Sequence, residues 1–488
     1  NPCVALNPGE DEAGRIYGCL AGCSGDGDCR FGYSCQSFEG QQVCLEKDQA
    51  RDARNPDGFD DGEPCVANLN CKGGTCIREA ENGTGEVSFP DGYCTTRHCG
   101  DDDDCHGGAC INRERYTSCM ETCESASDCR DGYECREGIE GRKFCDSKVE
   151  HIAPDTTGEQ AFDIQCVNAR SFTFDVPAGA IGFYLAPFTR GGLPLKPTTL
   201  TRPDGTALNI ERDYGFHAIN PQILQSLAPI LFPATDAPGL RNSFGPGRYT
   251  MQVQTDSNEV CYYMIPKMSA GTKLDVNLYF VGVPGVTAAT AAQNRDVQAF
   301  TRVMKEIYQT MGVAVNVARY IEADRQVSDM YSIVRDFNDI FGLVATSEAP
   351  GTTPEENLSV NVFLIDDFNI AEAQGLLGVS AGLPGMAGVH GNSGSGLIFS
   401  TANLGADNAT LGQVMAHEIG HFLGLRHTTE HMGSAHDPIS DTPTCLFPNL
   451  GYFCPDAKNF MFAFSLGNDQ RQTTAGQAFV VRRSPLVQ

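Results

Sequence analysis

Hydrophobic and polar positions alternate along the middle of the chain, between residues 151 and 270. The alternation is clearest in two runs, at Phe172, Phe174 and Val176 and at Tyr249, Met251 and Val253. A period of two is typical of strands that bury one face. Turn sequences such as Pro203-Asp204-Gly205 separate these runs. The pattern predicts a β-sandwich over residues 151–270, and we expect Cys166 and Cys261 to pair inside it.

Residues 271–488 combine the periods of strands and helices. The predicted elements are a strand at 274–280, a helix at 297–311, a strand at 313–317, a helix at 327–342 and a strand at 360–364. The glycine-rich stretch 375–396 predicts a long loop that carries an edge strand. Strands and helices in this order predict a mixed α/β sheet backed by helices.

Residues 1–148 contain few apolar positions but 18 of the 22 cysteines. Nearly the same spacing occurs twice, differing by one residue before the last cysteine, as Cys19, Cys23, Cys29, Cys35 and Cys44 and again as Cys119, Cys123, Cys129, Cys135 and Cys145. A middle group, spaced differently, holds Cys65, Cys71, Cys76, Cys94, Cys99 and Cys105. With Cys3 joining the first group and Cys110 the last, we expect three groups of six cysteines. Their bridges would supply the stability that a small core cannot, while the pairing within each group stays open.

The cysteine pattern also bears on the compartment. Dense, even-numbered cysteines are typical of oxidising surroundings, where disulfides persist. Structural zinc held by thiolates would show paired C-x2-C knuckles, and the sequence has none. No run of about 18 apolar residues occurs, so no membrane-spanning helix is expected. We predict a protein that is secreted, extracellular or held at the cell surface.

The net charge of −27 argues against a nucleic-acid partner, because binding phosphates needs a basic face. The simplest interpretation of the acidity is solubility outside the cell. A second interpretation is calcium binding by Asp-rich segments, such as Gly100-Asp101-Asp102-Asp103-Asp104 or the pair Asp437 and Asp441. No feature of the sequence predicts an oligomeric state.

The segment with the most specific chemistry reads His417-Glu418-Ile419-Gly420-His421-Phe422-Leu423-Gly424-Leu425-Arg426-His427. Apolar spacing predicts an amphipathic helix over residues 410–423. Two histidines four residues apart project from the same side of that helix and can hold one zinc ion. Gly424 lets the helix end in a left-handed turn, so that His427 can return as a third ligand.

Three protein ligands leave a fourth position for water, which is typical of catalytic rather than structural zinc. Glu418 follows the first ligand and can reach that water as a general base. The alternative interpretation is a set of ordinary histidines on a solvated helix. The complete eleven-residue motif on a predicted amphipathic helix favours a zinc site formed by His417, His421 and His427.

With this motif the chain resembles the metzincin metallopeptidases, in which a turn containing a methionine lies beneath the metal. Asn459-Phe460-Met461 is similar to that turn. Within the metzincins the chain resembles the pappalysin family, through Asp441-Thr442-Pro443, Cys445, Cys454-Pro455-Asp456 and Thr474-Ala475-Gly476-Gln477. Phe462 and Ala463 depart from the acidic residue and tyrosine that usually follow the methionine in that family.

The resemblance implies a metzincin-like catalytic domain over residues 271–488, one catalytic zinc and a protein or peptide substrate. It also makes Cys445 and Cys454 candidates for a disulfide. Residues 151–270 resemble the jelly-roll-like domains that accompany many secreted bacterial peptidases. The expected architecture is therefore a cysteine-rich region at 1–148, a β-sandwich at 151–270 and a catalytic domain at 271–488.

Three functional hypotheses follow. The first is a secreted zinc endopeptidase. The second is a cell-surface binding or structural protein with an inactive peptidase domain, although the intact Glu418 argues against it. The third makes the cysteine-rich region an inhibitory pro-segment with a thiol on the zinc, and the even cysteine count argues against a free thiol.

Overall fold

The computed structural model describes most of the chain beyond residue 55 and, before that, four strands. The described residues are 3–5, 17–19, 33–38, 41–46, 56, 58–65, 68–77, 80–81, 87–97, 99–112, 117–137, 141–148, 162–189, 195–210, 227–242, 244–370, 373, 375–430, 433, 435–445, 454–467 and 469–488. The chain divides into two compact units, Asn1–His151 and Ile152–Gln488. In the described ranges, every helix is too short or too polar to cross a lipid bilayer.

The first unit consists of short antiparallel strand pairs. The strands are β1 (Cys3–Ala5), β2 (Tyr17–Cys19), β3 (Tyr33–Phe38), β4 (Gln41–Glu46), β5 (Gly74–Ile77), β6 (Ala80–Glu81), β7 (Val87–Ser88), β8 (Tyr93–Thr96), β9 (Ala109–Asn112), β10 (Thr117–Met120), β11 (Tyr133–Glu137) and β12 (Lys143–Ser147). They pair as β1–β2, β3–β4, β5–β8, β6–β7, β9–β10 and β11–β12. Single 3₁₀ turns lie at Asn68–Asn70, Asp102–Asp104 and Ala126–Asp128. Such small sheets leave little core, which is why bridges are needed.

The disulfides of this unit correct the predicted groups of six cysteines. The bridges are Cys65–Cys76, Cys71–Cys94, Cys99–Cys110, Cys105–Cys119, Cys123–Cys135 and Cys129–Cys145. Cys99 is bonded to Cys110 and Cys105 to Cys119. Both bonds join the predicted middle group to the predicted last group, so the predicted grouping was wrong there. The repeating unit holds four cysteines and pairs the first with the third and the second with the fourth. The third and fourth face each other across a hairpin, as Cys135 and Cys145 do.

The Asp-rich loop of this unit uses its carboxylates to stabilise its own conformation. The Arg142 guanidinium donates to both oxygens of Asp102, at 2.6 and 2.9 Å, and these bonds lower the pKa of that carboxyl. Asp101 accepts a hydrogen bond from the Asp103 amide, and Asp104 accepts one from the Gly100 amide. Calcium binding by this loop stays a hypothesis.

The second unit begins with two antiparallel four-stranded sheets. Their strands are β13 (Gln165–Val167), β14 (Ser171–Val176), β15 (Gly182–Phe188), β16 (Leu195–Thr201), β17 (Ala207–Asn209), β18 (Ile230–Phe232), β19 (Gly247–Thr255) and β20 (Val260–Lys267), and helix α1 (Pro238–Arg241) lies between β18 and β19. The strand orders are β13-β20-β15-β18 and β14-β19-β16-β17. Phe172, Phe174 and Val176 are buried and their neighbours exposed, which confirms the predicted alternation. Cys166 and Cys261 form a disulfide.

A five-stranded sheet follows, in the order β22-β21-β24-β27-β26. The remaining strands are β21 (Lys273–Val281), β22 (Ala314–Glu322), β23 (Ile333–Val334), β24 (Ser359–Ile365), β25 (Asp367–Phe368), β26 (Gly378–Ser380) and β27 (Leu397–Ser400). The helices are α2 (Ala288–Ala291), α3 (Arg295–Thr310), α4 (Arg325–Tyr331), α5 (Phe337–Val344), α6 (Pro354–Asn357), α7 (Asn408–Phe422) and α8 (Ala475–Val481). Four strands are parallel, and β26 forms an antiparallel edge. The predicted mixed sheet and its edge strand in the glycine-rich loop are confirmed.

The single helix predicted at 327–342 was wrong, because the structure has two short helices there. Between α4 and α5 the chain forms β23, which pairs with β25 in parallel. The turn into α5 is closed by carboxylates: Asp336 accepts from the Asp339 amide at 2.9 Å, and Asp339 accepts from the Arg335 amide at 2.7 Å. Apolar spacing continues across this break, so periodicity alone does not reveal it.

The sandwich and the α/β sheet share one buried core. Tyr184, Leu231 and Tyr263 of the sandwich belong to the same apolar cluster as Leu278 of the central sheet and Ile419 of α7. The sandwich has a second cluster of its own between its two sheets. The three-domain division predicted from the sequence stays a prediction.

The N-terminus of α3, a helix that packs on this core, is capped by a side chain. The Asn294 side chain accepts hydrogen bonds from the amides of Asp296 and Val297, at 2.9 and 3.1 Å. We predict that Asn294→Ala costs about 1 kcal/mol of stability, because two amides lose their acceptor. Calorimetry of the full chain should show a lower unfolding midpoint. Gln293→Ala, at the exposed neighbouring position, serves as control, and an equal loss in both variants would contradict the capping role.

Candidate metal centre and active site

The histidine motif His417–His427 begins on α7 and ends just beyond it. The Asp407 side chain caps the helix by accepting from the Thr410 amide at 3.0 Å. The helix closes at Gly424, whose φ of +106° lies in the region that favours glycine. The Leu425 amide returns to the Gly420 carbonyl at 2.9 Å. This turn reverses the chain and brings His427 back toward the helix.

The three predicted ligands lie together. The Nε2 atoms of His417 and His427 are 3.2 Å apart, and so are those of His421 and His427. A ligand atom from each ring lies within 4.8 Å of the other two. The structure therefore brings together His417, His421 and His427 with their Nε2 atoms converging on one point.

The outer nitrogen of each ring faces a hydrogen-bond acceptor. His417 Nδ1 lies 2.7 Å from the Phe460 carbonyl, and His421 Nδ1 lies 2.8 Å from the Leu425 carbonyl. His427 Nδ1 lies 2.9 Å from Glu430 Oε2. Carbonyls and carboxylates only accept, so each Nδ1 carries a hydrogen, and in the tautomer with no hydrogen on Nε2 each ring turns that lone pair inward.

Three inward lone pairs fit a zinc ion. Zn–N bonds of about 2.0–2.1 Å in a tetrahedral site place two ligand nitrogens about 3.3 Å apart, close to the separations seen here. Burial, with the neighbouring rings of His417 and His427, lowers the pKa of His421 well below its usual value. A neutral ring is the form that binds a metal. Three nitrogen donors at these separations are suited to holding one such cation.

Glu418 lies next to the sheet edge. Its side chain is buried, and burial raises its pKa to about 8, against the lowering effect of a hydrogen bond from the Ser380 amide. Ser380 belongs to β26, the edge strand. The carboxyl group therefore stands between the histidine cluster's helix and the sheet edge.

Met461 packs directly against α7. It is fully buried, and its sulfur lies 2.6 Å from the point that a Cβ on Gly420 would occupy. Only glycine allows this approach between the two helical ligands. The preceding residue, Phe460, supplies the carbonyl that orients His417. The turn thus supports the metal site both by packing and by hydrogen bonding.

The C-terminal helix α8 fixes this turn. The side-chain amides of Asn459 and Gln477 exchange two hydrogen bonds, at 2.9 and 3.1 Å. Asn459 Oδ1 also accepts from the Met461 amide at 2.9 Å. Both side chains are buried. The residues that carried the family resemblance at 459–461 and 474–477 therefore form one connected structure behind His417.

The segment after His427 is also anchored. Asp456 is buried, and one of its carboxylate oxygens accepts from the hydroxyls of Thr428 and Thr429 at 2.6 and 3.1 Å. Cys445 and Cys454 form a disulfide within the same region. These contacts tie the residues that directly follow His427 to Asp456, just before the turn at Asn459–Met461.

Sequence reasoning missed Glu430. It pairs with His427 Nδ1 and is partly buried. Carboxylates that accept from a ligand histidine orient the ring and raise its basicity. The available signal was an acidic residue three positions after the third ligand, which the motif itself does not include.

Two other predictions concern residues near or beyond the site. Asp437 is buried with a raised pKa of about 7, caused chiefly by burial, while Asp441 accepts from the Gly476 amide at 3.0 Å. Calcium at this pair stays a hypothesis. Where the structure describes cysteine side chains, from Cys65 onward, none is free, so this part of the chain supplies no thiol for the inhibitory pro-segment hypothesis.

Comparison with known families agrees with this geometry. Residues 277–474 match the family model described as "Reprolysin_5: Metallo-peptidase family M12". The match runs from β21 to the residue that caps α8 and includes all three histidines. No curated protein matches the chain significantly. The segment is similar to a metzincin-like zinc metallopeptidase domain, whereas membership of the pappalysin family stays a prediction.

The hydrogen bond between Glu430 and His427 can be tested by substituting Glu430. We predict that Glu430→Ala weakens zinc binding by about 10- to 100-fold, because the ring loses its orienting acceptor and a nearby negative charge. Competition with a chromogenic chelator measures the change. Glu430→Gln keeps an acceptor oxygen, so its zinc affinity should lie between those of Glu430→Ala and the wild type.

Glu355→Gln removes an exposed carboxylate on α6 and is the control for net charge. Zinc affinities equal to wild type in both Glu430 variants would contradict the role given to this residue.

Proposed function

We propose that the chain is a secreted zinc endopeptidase that cuts peptide bonds, with Glu418 as the general base. One observation carries the proposal: three imidazole Nε2 atoms converge beside a buried carboxyl group at the edge of a sheet. The similarity of residues 277–474 to family M12 metallopeptidases supports the same chemistry. Twelve described cysteines bridged in the first unit support an extracellular location.

The side chains have separate roles. When bound to His417, His421 and His427, zinc would polarise the scissile carbonyl, acidify the attacking water and favour the carboxylate form of Glu418. Glu418 accepts the proton from the water as it attacks, and then donates that proton to the leaving amine. The Ser380 amide orients the carboxylate for both transfers.

The substrate is proposed to bind along β26. Among the described strands this one pairs with β27 alone, so it forms the edge of the described sheet. An extended peptide can add to such an edge through main-chain hydrogen bonds. Ser380 on this strand contacts Glu418, so a peptide paired there passes close to the general base. The edge favours polypeptide substrates, and the acidic composition does not favour nucleic acid.

The positions just after Met461 serve packing. Phe462 is buried in a small cluster with Cys445, Cys454 and Ala457, and Ala463 follows it. No tyrosine hydroxyl is available at these two positions to hold the tetrahedral intermediate. We therefore propose that a bound metal ion would stabilise the developing oxyanion without help from a hydroxyl group at these two positions.

The alternative is a binding or structural protein with an inactive peptidase domain. Such a protein has no need for the Glu418 carboxyl or for outer partners on all three ligands. The intact set of contacts therefore favours activity. Zinc binding without any peptide cleavage would support the alternative.

Glu418→Gln tests the general base. We predict that kcat falls by about 100- to 10,000-fold, because an amide of the same shape cannot accept the proton. Cleavage of a peptide library, followed by kinetics on one cleaved peptide, measures the loss. Zinc content should stay at one per chain, since Glu418 is not a ligand.

Glu355→Gln, at an exposed position on α6, is the matched control and should keep full activity. A Glu418→Gln variant that cuts at the wild-type rate would rule out this mechanism.

A further inference from the structure

The loop that follows the edge strand is held by the β-sandwich. The Tyr184 hydroxyl donates to the Gly385 carbonyl at 2.8 Å and accepts from the Ala387 amide at 2.9 Å. The Tyr263 hydroxyl donates to the Ala387 carbonyl at 2.7 Å. Tyr184, Tyr263 and Ala387 are each at most 1% exposed. The buried hydroxyls of two sandwich tyrosines thus form hydrogen bonds with three backbone groups of this loop.

The same loop is tied to the metal-binding helix. The Gly385 amide donates to the carbonyl of Phe422 at 3.0 Å, and Phe422 directly follows the ligand His421. Ser380 Oγ donates to the Gly382 carbonyl at 2.7 Å, which connects the loop back to β26. A continuous set of hydrogen bonds therefore runs from Tyr184 through Gly385 to the end of α7.

Other sandwich residues contact the chain before and after His427. Leu231 packs against Gly424, in the turn between His421 and His427. Asp236 accepts two hydrogen bonds from Ser440, at 2.9 Å from its amide and 2.6 Å from its hydroxyl. The Thr235 hydroxyl donates to the Pro438 carbonyl. The sandwich thus contacts segments that precede and follow His427 in the sequence.

We infer that Tyr184 and Tyr263 are positioning residues for peptide binding, and that the sandwich is a working part of the peptidase rather than a separate adhesion module. The inference rests on the proposed function, because it assigns peptide binding to β26. The tyrosines do not touch the substrate. They fix the loop that continues β26, so that the edge strand is already ordered when a peptide pairs with it.

The physical cause is the cost of ordering. Losing one hydroxyl leaves Gly385 or Ala387 with unsatisfied buried groups, so the loop opens locally to reach water. A peptide must then order the strand as it binds, and part of its binding free energy is lost. Because this loss is the same for the bound substrate and the transition state, KM rises while kcat changes little.

The test uses Tyr184→Phe, Tyr263→Phe and the double variant in the full chain. Each substitution removes only an oxygen atom, so the rings keep their packing. We expect KM for a cleaved peptide to rise by about three- to tenfold per hydroxyl, with kcat within about twofold of wild type. Amide hydrogen exchange over residues 385–396 should become faster, and zinc content should not change.

Tyr249→Phe is the matched control. Tyr249 is also fully buried in the sandwich, but its hydroxyl donates to Gly245 of the sandwich itself, at 2.8 Å. This variant should lose stability without altering KM or the exchange of residues 385–396. If it raises KM as much as Tyr184→Phe does, the effect is general destabilisation and the inference fails.

Two further outcomes separate this inference from the proposed function. If the wild type cuts peptides and the tyrosine variants show unchanged KM and unchanged exchange, the positioning role is wrong while the proposed function stands. If the wild type cuts nothing, the proposed function fails. Amide hydrogen exchange then tests the inference by itself. If residues 385–396 stay as protected in both tyrosine variants as in the wild type, the sandwich does not fix this loop and the inference is overturned.

Discussion

The convergence of three imidazole Nε2 atoms on one point is the arrangement on which the rest of the site depends. Each ring is fixed from outside, by the carbonyls of Phe460 and Leu425 and by the Glu430 carboxylate. Without these acceptors each ring could rotate and carry its Nε2 atom away from that point. The turn at Asn459–Met461, the Asn459–Gln477 amide pair and the turn at Gly424 keep those acceptors and the histidine-bearing helix in place.

The α/β sheet and the sandwich cooperate in holding it. Helix α7 carries His417, Glu418 and His421, the edge strand β26 lies against Glu418, and the sandwich binds the loop between β26 and β27. Because one core joins sandwich and sheet, a change in either domain reaches the site through packed side chains and buried hydrogen bonds. The disulfide-rich unit reaches stability by a different route, with six described bridges in place of a large core.

Local patterns predicted much of this. Alternation located β14 and β19, and helical spacing located α3 and α7, since each buries one face. The motif pointed to the three histidines that the structure brings together, and to Glu418 on the same helix as two of them. Apolar spacing did not reveal the break between α4 and α5, which depends on Asp336 and Asp339, and spacing alone could not show that Cys99 pairs with Cys110. The contacts of Glu430, Tyr184 and Tyr263 join residues that only the tertiary fold brings together, so no local pattern contains them.

X-ray absorption at the zinc edge, measured on the purified full chain, tests the central claim most directly. We expect one zinc per chain, bound by three imidazole nitrogens and one or two oxygens at about 2.0–2.2 Å. Sulfur donors, fewer than three imidazoles, or a chain that retains no zinc after purification in zinc-containing buffer would contradict it.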